Sequence, residues 1–147
     1  MENVSDLQLG KAGEYLVCAE LILKGYIAFP SEQGLPYDIV ADNKGNLIRI
    51  QVKTTEKYRA TPQRKHHTPS YLFQCRRCGK GGCHSYKDTD IDIMAFVCLK
   101  DKLIGYMPIK NLPMTLHLRS RLHDYGGSKS GRYIEDLTFE EALKGIC

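Results

Sequence analysis

The chain has 147 residues, 42% of them hydrophobic and 26% charged, with a net charge of +4. That length supports a core without disulfide or metal staples and is most simply a single domain over 1–147. No apolar run reaches the roughly 18 residues of a membrane span. The opening Met1-Glu2-Asn3-Val4-Ser5-Asp6 is acidic and polar, unlike a secretory signal, so an intracellular (cytoplasmic) setting with reduced thiols is expected. The six cysteines then have to serve as core residues, metal ligands or reactive thiols.

Ser5-Asp6-Leu7-Gln8 reads as a helix start, with Ser5 as N-cap and Gln8 closing a capping box. The apolar pattern Leu9, Ala12, Leu16, Ala19, Leu23 has a helical period, with Tyr15, Cys18 and Ile22 beside it, and ends near Gly25. Glu14 lies off that stripe, and Cys18 is expected in the core. Tyr26–Phe29 is a short strand stopped by Pro30. Asp38–Ala41 and Leu47–Thr54 form a hairpin around the turn Asp42-Asn43-Lys44-Gly45-Asn46. A polar, basic loop follows over Lys57–Ser70. Tyr71–Cys75 is a strand, and Arg76–Lys87 a glycine- and cysteine-containing loop. Asp90–Leu99 is a nearly continuous apolar run, the mark of a buried strand, and Leu103–Ile109 is another strand. Leu112–Leu122 gives no clear pattern, and Tyr125–Arg132 has the Gly/Ser content of a connector. Leu137–Lys144 is a terminal helix with Thr138 as cap and Gly145 as stop. This order predicts an α/β (α+β) chain with a central mixed sheet flanked by helices.

Charge is concentrated. Between Lys53 and Lys87 there are nine Lys/Arg and one acid, Glu56, a local +8 against a whole-chain +4. Such a segment suits a polyanion.

The hairpin carries the chemistry. In Ile48-Arg49-Ile50-Gln51-Val52-Lys53 strand alternation puts Arg49, Gln51 and Lys53 on one face and the apolar residues on the other. Folding the hairpin brings Asp38 near Gln51 and Lys53. A carboxylate, an amide oxygen and the Val52 carbonyl are hard donors suited to Mg²⁺ or Mn²⁺. Such an ion lowers the pKa of bound water and offsets charge building on a phosphoryl group. Lys53 is suited to orienting the nucleophile or stabilising that charge, and Glu14 to a metal water if its helix packs over this edge. The expected reaction is phosphodiester hydrolysis.

The runs Gly13-Glu14-Tyr15-Leu16-Val17, Tyr37-Asp38-Ile39-Val40 and Arg49-Ile50-Gln51-Val52-Lys53-Thr54 resemble the PD-(D/E)XK nuclease superfamily. The nearer resemblance is to small intron- and phage-encoded homing endonucleases, the next to archaeal-type Holliday junction resolvases. It implies a restriction-endonuclease-like core, Mg²⁺-dependent cleavage of DNA, and a homodimer or homotetramer acting on nucleoid or phage DNA. By position, Glu14 matches the helix acid, Asp38 the motif acid, Gln51 the D/E position and Lys53 the lysine; Asp92 matches a recurring acid with a structural part. Gln51 departs from the usual acid: it keeps an oxygen ligand and loses a full charge.

Within the basic insertion, around 56–88, Lys57, Arg59, Arg64, Lys65, Arg76, Arg77 and Lys80 are the expected DNA contacts, mostly to phosphates. His66 and His67 are expected as further phosphate contacts in preference to metal ligands. Cys75-x-x-Cys78-x(4)-Cys83-His84 has part of a tetrahedral Zn²⁺ spacing, so a structural zinc on Cys75, Cys78, Cys83 and His84 is a second expectation. Beside duplex cleavage stand two alternatives: structure-selective cleavage of branched DNA, and DNA binding without cleavage.

Overall fold

The computed structural model describes residues 3–59, 69–123 and 131–146. Arg64, Lys65, His66 and His67, and most of the expected connector at 125–132, lie outside the described residues.

Helix α1 spans Asp6–Leu23, and both halves of the Ser5/Gln8 capping box are formed. Its buried residues are Gly13, Val17, Cys18 and Leu21, whereas Leu23 is 88% exposed. The packed stripe is thus rotated from the one that the apolar periodicity marks. The reason is Gly13: a residue without a side chain adds nothing to an apolar pattern, yet here it makes the closest approach to the sheet.

The central sheet has the order β1-β2-β3-β7-β8, built from β1 (Ile27–Pro30), β2 (Ile39–Asn43), β3 (Asn46–Thr55), β7 (Ile93–Cys98) and β8 (Leu103–Pro108). The β2–β3 hairpin pairs Ile39 with Ile50 and Asn43 with Asn46 around Lys44-Gly45, both at positive φ, the geometry a two-residue turn requires. Strands β3 and β7 run parallel and the other pairs antiparallel, so the sheet is mixed as expected. All of β7 is buried. Its Ile93, Ala95 and Val97 join Val17, Leu21 and Phe139 in one core, while Met94, Phe96 and Cys98 join Tyr71, Phe73 and Leu118 in a second.

The first core is closed by α1 and by α2 (Phe139–Lys144), which Thr138 caps and Gly145 ends. The Phe139 ring meets Tyr26 and Tyr106 edge-on at centroid distances of 4.9 and 5.2 Å. The second core is closed by a smaller sheet, β10-β9-β4, made of β4 (Tyr71–Gln74), β9 (Thr115–Arg119) and β10 (Arg132–Tyr133). Strand β9 falls where the sequence shows no pattern, because its alternation is carried by only Leu116 and Leu118. The Arg76–Lys87 stretch is not a loop: β5 (Arg76–Gly79) and β6 (Gly82–Ser85) form a two-stranded ribbon with Gly82 at φ +97° in its turn.

Asp92 clamps the parallel pair. Its carboxylate accepts from the Arg49 amide (2.8 Å), Nε (3.1 Å) and a terminal guanidinium nitrogen (2.9 Å), just ahead of the first β3–β7 partners. Burial pushes its carboxyl up, but the Arg49 side chain, amide and charge outweigh burial and hold it below its ordinary value. Asp92→Ala should destabilise the fold by about 1.5–3 kcal/mol, the worth of charged hydrogen bonds left unmade. A depressed carboxyl stabilises above its unfolded value and loses that contribution as pH falls through the folded one. Urea melts of wild type and Asp92→Asn should therefore differ at neutral pH and converge in acid.

Candidate active site

Asp38 stands where the loop from Ser31 turns into β2. Its amide donates to the Ile50 carbonyl (2.9 Å), and its own carbonyl accepts from Ser31 (2.8 Å). Its carboxylate Oδ2 accepts from the Val52 amide at 2.9 Å. The acid is thereby fixed against the Gln51-Val52-Lys53 stretch. In β3, Ile48, Ile50 and Val52 are buried while Arg49, Gln51 and Lys53 are half-buried, as alternation requires.

Helix α1 brings Glu14 to the same edge because Gly13 sits on Thr54: a Cβ on Gly13 would stand 2.0 Å from Thr54 Oγ1. That oxygen is buried with no hydrogen-bond partner among the described residues. Glu14 accepts from Lys11 Nζ at 2.7 Å, one helical turn back.

Glu14, Asp38, Gln51 and Lys53 all line one open cavity of about 420 Å³, which Asp6 and Glu56 also line. An adjoining cavity of about 430 Å³, bounded by Lys11 and the 31–37 loop, shares Glu14 and Asp38 with it. The Asp38 carboxyl is pushed up, first by burial and then by the Glu14 charge, against the opposing pull of the Val52 amide, Lys53 and Lys11. A desolvated acid beside a second acid in a cleft is characteristic of a functional site.

The donor chemistry fits a hard divalent ion. The carboxylates of Glu14 and Asp38, with Gln51 and Val52, line the cavity together with Asp6 and Glu56, and a cation there would relieve the upward push on Asp38. No group of three or more His, Cys, Asp or Glu suited to a metal occurs among the described residues. Beside Glu14 and Asp38, the neutral Gln51 would serve as a further oxygen donor, leaving much of the coordination to water, as Mg²⁺ accepts.

The zinc expectation does not hold. Cys78 and Cys83, directly opposite in the ribbon, are joined by a disulfide, which also departs from the expectation of reduced thiols. Cys75 is buried in the second core, and burial pushes its thiol up to about 11, away from the thiolate that zinc needs. His84 pairs with Arg77 on the ribbon face opposite the disulfide, and its Nε2 lies 3.2 Å from the Gly81 carbonyl. The ligand set is therefore split between a core, a disulfide and an outward face. Cys18 is in the core as expected.

Of the expected DNA contacts, Lys57, Arg59, Arg77 and Lys80 are exposed and Arg76 is half-buried. Two site features escape the sequence reading. Lys11 has only the i, i+3 spacing to Glu14 as a signal. Tyr86, whose ring lies 5.0 Å from Lys53 Nζ, has none.

The family model for PD-(D/E)XK endonucleases matches residues 4–139, so the chain belongs to the PD-(D/E)XK endonuclease family and is of nuclease type. Among solved structures it is similar to that of the bacterial homing endonuclease I-Ssp6803I, at a TM-score of 0.70 and 18% identity, covering 97% of this chain and 96% of the other. At that identity the similarity shows the fold, which is restriction-endonuclease-like as expected. No curated protein matches the sequence significantly.

Two outcomes follow from the packing and the charge. Gly13→Ala should cost about 1–3 kcal/mol through overpacking and pull Glu14 from the cavity. Adding Thr54→Ala, after which the nearest side-chain carbon is 3.1 Å away, should restore most of the melting temperature and activity. Asp38→Asn should raise the melting temperature of the metal-free protein at neutral pH, since a desolvated charge beside Glu14 is removed. A carboxyl raised in the fold destabilises once ionised, so this gain should be complete above the folded pKa and vanish as pH falls through it. Thermal melts across pH measure it. Mg²⁺ should raise the wild-type melting temperature and leave Asp38→Asn unmoved.

Proposed function

We propose that the protein is a divalent-metal-dependent deoxyribonuclease that hydrolyses phosphodiester bonds in duplex DNA. The observation that carries this reading is the convergence of Glu14, Asp38, Gln51 and Lys53, from α1, the start of β2 and β3, on one cavity. Asp38, Gln51 and Glu14, with the Val52 carbonyl, are the groups that would hold Mg²⁺ or Mn²⁺. The ion supplies a lowered pKa for bound water and a counter-charge for the phosphoryl oxygens. Asp38, tied to the Val52 amide, keeps its donor oxygens fixed relative to Gln51. Lys53 presents positive charge where the phosphate becomes more negative.

The basic residues supply the substrate's other half. Lys57, Arg59, Arg77 and Lys80, with Arg76, would contact backbone phosphates and so position the duplex without reading its sequence. Cutting both strands needs two active sites, which favours a homodimer or homotetramer. A duplex is preferred over a branched substrate because the structural neighbour is a homing endonuclease.

The test incubates supercoiled plasmid, a plasmid library of randomised targets and a four-way junction with Mg²⁺ or Mn²⁺. Linear product should appear from plasmid or library, and Lys53→Ala should slow it by about 10²–10³-fold, as for loss of one transition-state donor. Cleavage of the junction alone would reassign the substrate. Tight binding without cleavage, unchanged by Asp38→Asn, would leave only a DNA-binding module. The five phosphate contacts proposed among the described residues would contribute a slope of about −4.5 per protomer to log K against log salt.

A further inference from the structure

Lys53 is not left to solvent. Its Nζ donates to the Arg76 carbonyl at 3.2 Å and stands 5.0 Å from the centroid of the Tyr86 ring. Arg76 opens β5, and Tyr86 follows directly after β6, which ends at Ser85. Arg76 is the register partner of Ser85, so both contacts lie at the root of the ribbon, one from each strand. Beyond the root the ribbon exposes Arg77 and Lys80 and contains no acid. Tyr86 is half-buried and packs against the second core, which fixes its ring. The element that carries basic charge outward therefore also anchors the lysine of the candidate site.

We propose that Tyr86 is the positioning residue for Lys53, and that through it the ribbon couples contact with the DNA backbone to the placement of that lysine. The inference rests on the nuclease reading above. A free lysine side chain has rotamer freedom that has to be lost before its charge is of use at one phosphate. A carbonyl dipole and a ring face hold the ammonium without cancelling its charge, which a carboxylate in their place would do. The ring face attracts the cation through its quadrupole. Tyr86 touches no reacting atom; it acts through Lys53.

The test compares Tyr86→Phe, which keeps the ring face, with Tyr86→Leu, which keeps apolar packing and loses it. NMR on the full chain with ¹³C-labelled lysine, assigned with Lys53→Met, reads the Lys53 Hε shift. A 30-bp mixed-sequence duplex with Ca²⁺ is then added. Wild type and Tyr86→Phe should show a ring-current upfield shift that Tyr86→Leu loses. The duplex should move the Lys53 signal in wild type, and Arg77→Ala/Lys80→Ala should need several-fold more duplex for the same movement. Single-turnover cleavage of the randomised plasmid library with Mg²⁺ should be within about twofold of wild type for Tyr86→Phe and about tenfold slower for Tyr86→Leu, with duplex affinity unchanged. A Lys53 signal unmoved in Tyr86→Leu, or equal slowing in both variants, overturns the proposal. An intact Lys53–Tyr86 shift in a wild type that cuts no library member instead overturns the nuclease reading, and the catalytic role of the contact with it.

Discussion

The hydrogen bond from the Val52 amide to the Asp38 carboxylate sets the geometry of the site. It is made across the two strands of one hairpin, so the register that pairs Ile39 with Ile50 also decides which β3 residues the acid meets. A slip of one residue would turn Gln51 and Lys53 into the core and Ile50 and Val52 into the cavity. The buried face of β3, packed on α1 and continued by β7, makes that slip costly. The fold's hydrophobic register and the site's polar register are thus one constraint, and Asp92 fixes it from the other side by binding Arg49.

Holding an acid this way has an electrostatic cost. Burial and the nearby Glu14 both oppose ionisation of Asp38, and the Val52 amide, Lys53 and Lys11 offset only part of it. This gives Gln51 a physical rationale. A carboxylate at position 51 would add repulsion to Glu14 and Asp38 in a cavity that Asp6 and Glu56 also line, whereas an amide carries an oxygen at no charge. On the metal-dependent reading proposed above, the exchange would trade metal affinity for stability of the protein without the ion.

Much of this was legible before any coordinates. Strand alternation around Asp38 and Gln51-Val52-Lys53, the Ser5/Gln8 cap and the buried run of β7 each rest on local periodicity or turn chemistry, and the structure reproduces them. The misreadings share another cause. The packed stripe of α1 depends on Gly13 meeting Thr54, a contact made by the lack of a side chain. The cysteine spacing resembled a zinc knuckle because sequence distance does not say which strand face a residue occupies. Pairing Cys78 opposite Cys83 while burying Cys75 removes the ligand set, although each residue stays near its neighbours in the chain. Tyr86 depends on tertiary packing around a common residue type, and Lys11 on an i, i+3 spacing to Glu14 too common to be distinctive.

The ribbon shows how face alternation divides labour that the sequence presents as one basic run. Arg77 opposes His84 on one face, whereas Arg76 opposes Ser85 on the face that carries the Cys78–Cys83 bridge. Adjacent arginines therefore lie on opposite faces of the ribbon. Arg77 is exposed on the outward face, while Arg76 is half-buried and offers its carbonyl to Lys53. The bridge ties the strands near the turn, and Lys53 and Tyr86 meet at the root. On the reading proposed above, a ribbon tied near its turn and seated on the core at its root would carry a displacement of its charged tip to the place where Lys53 is held.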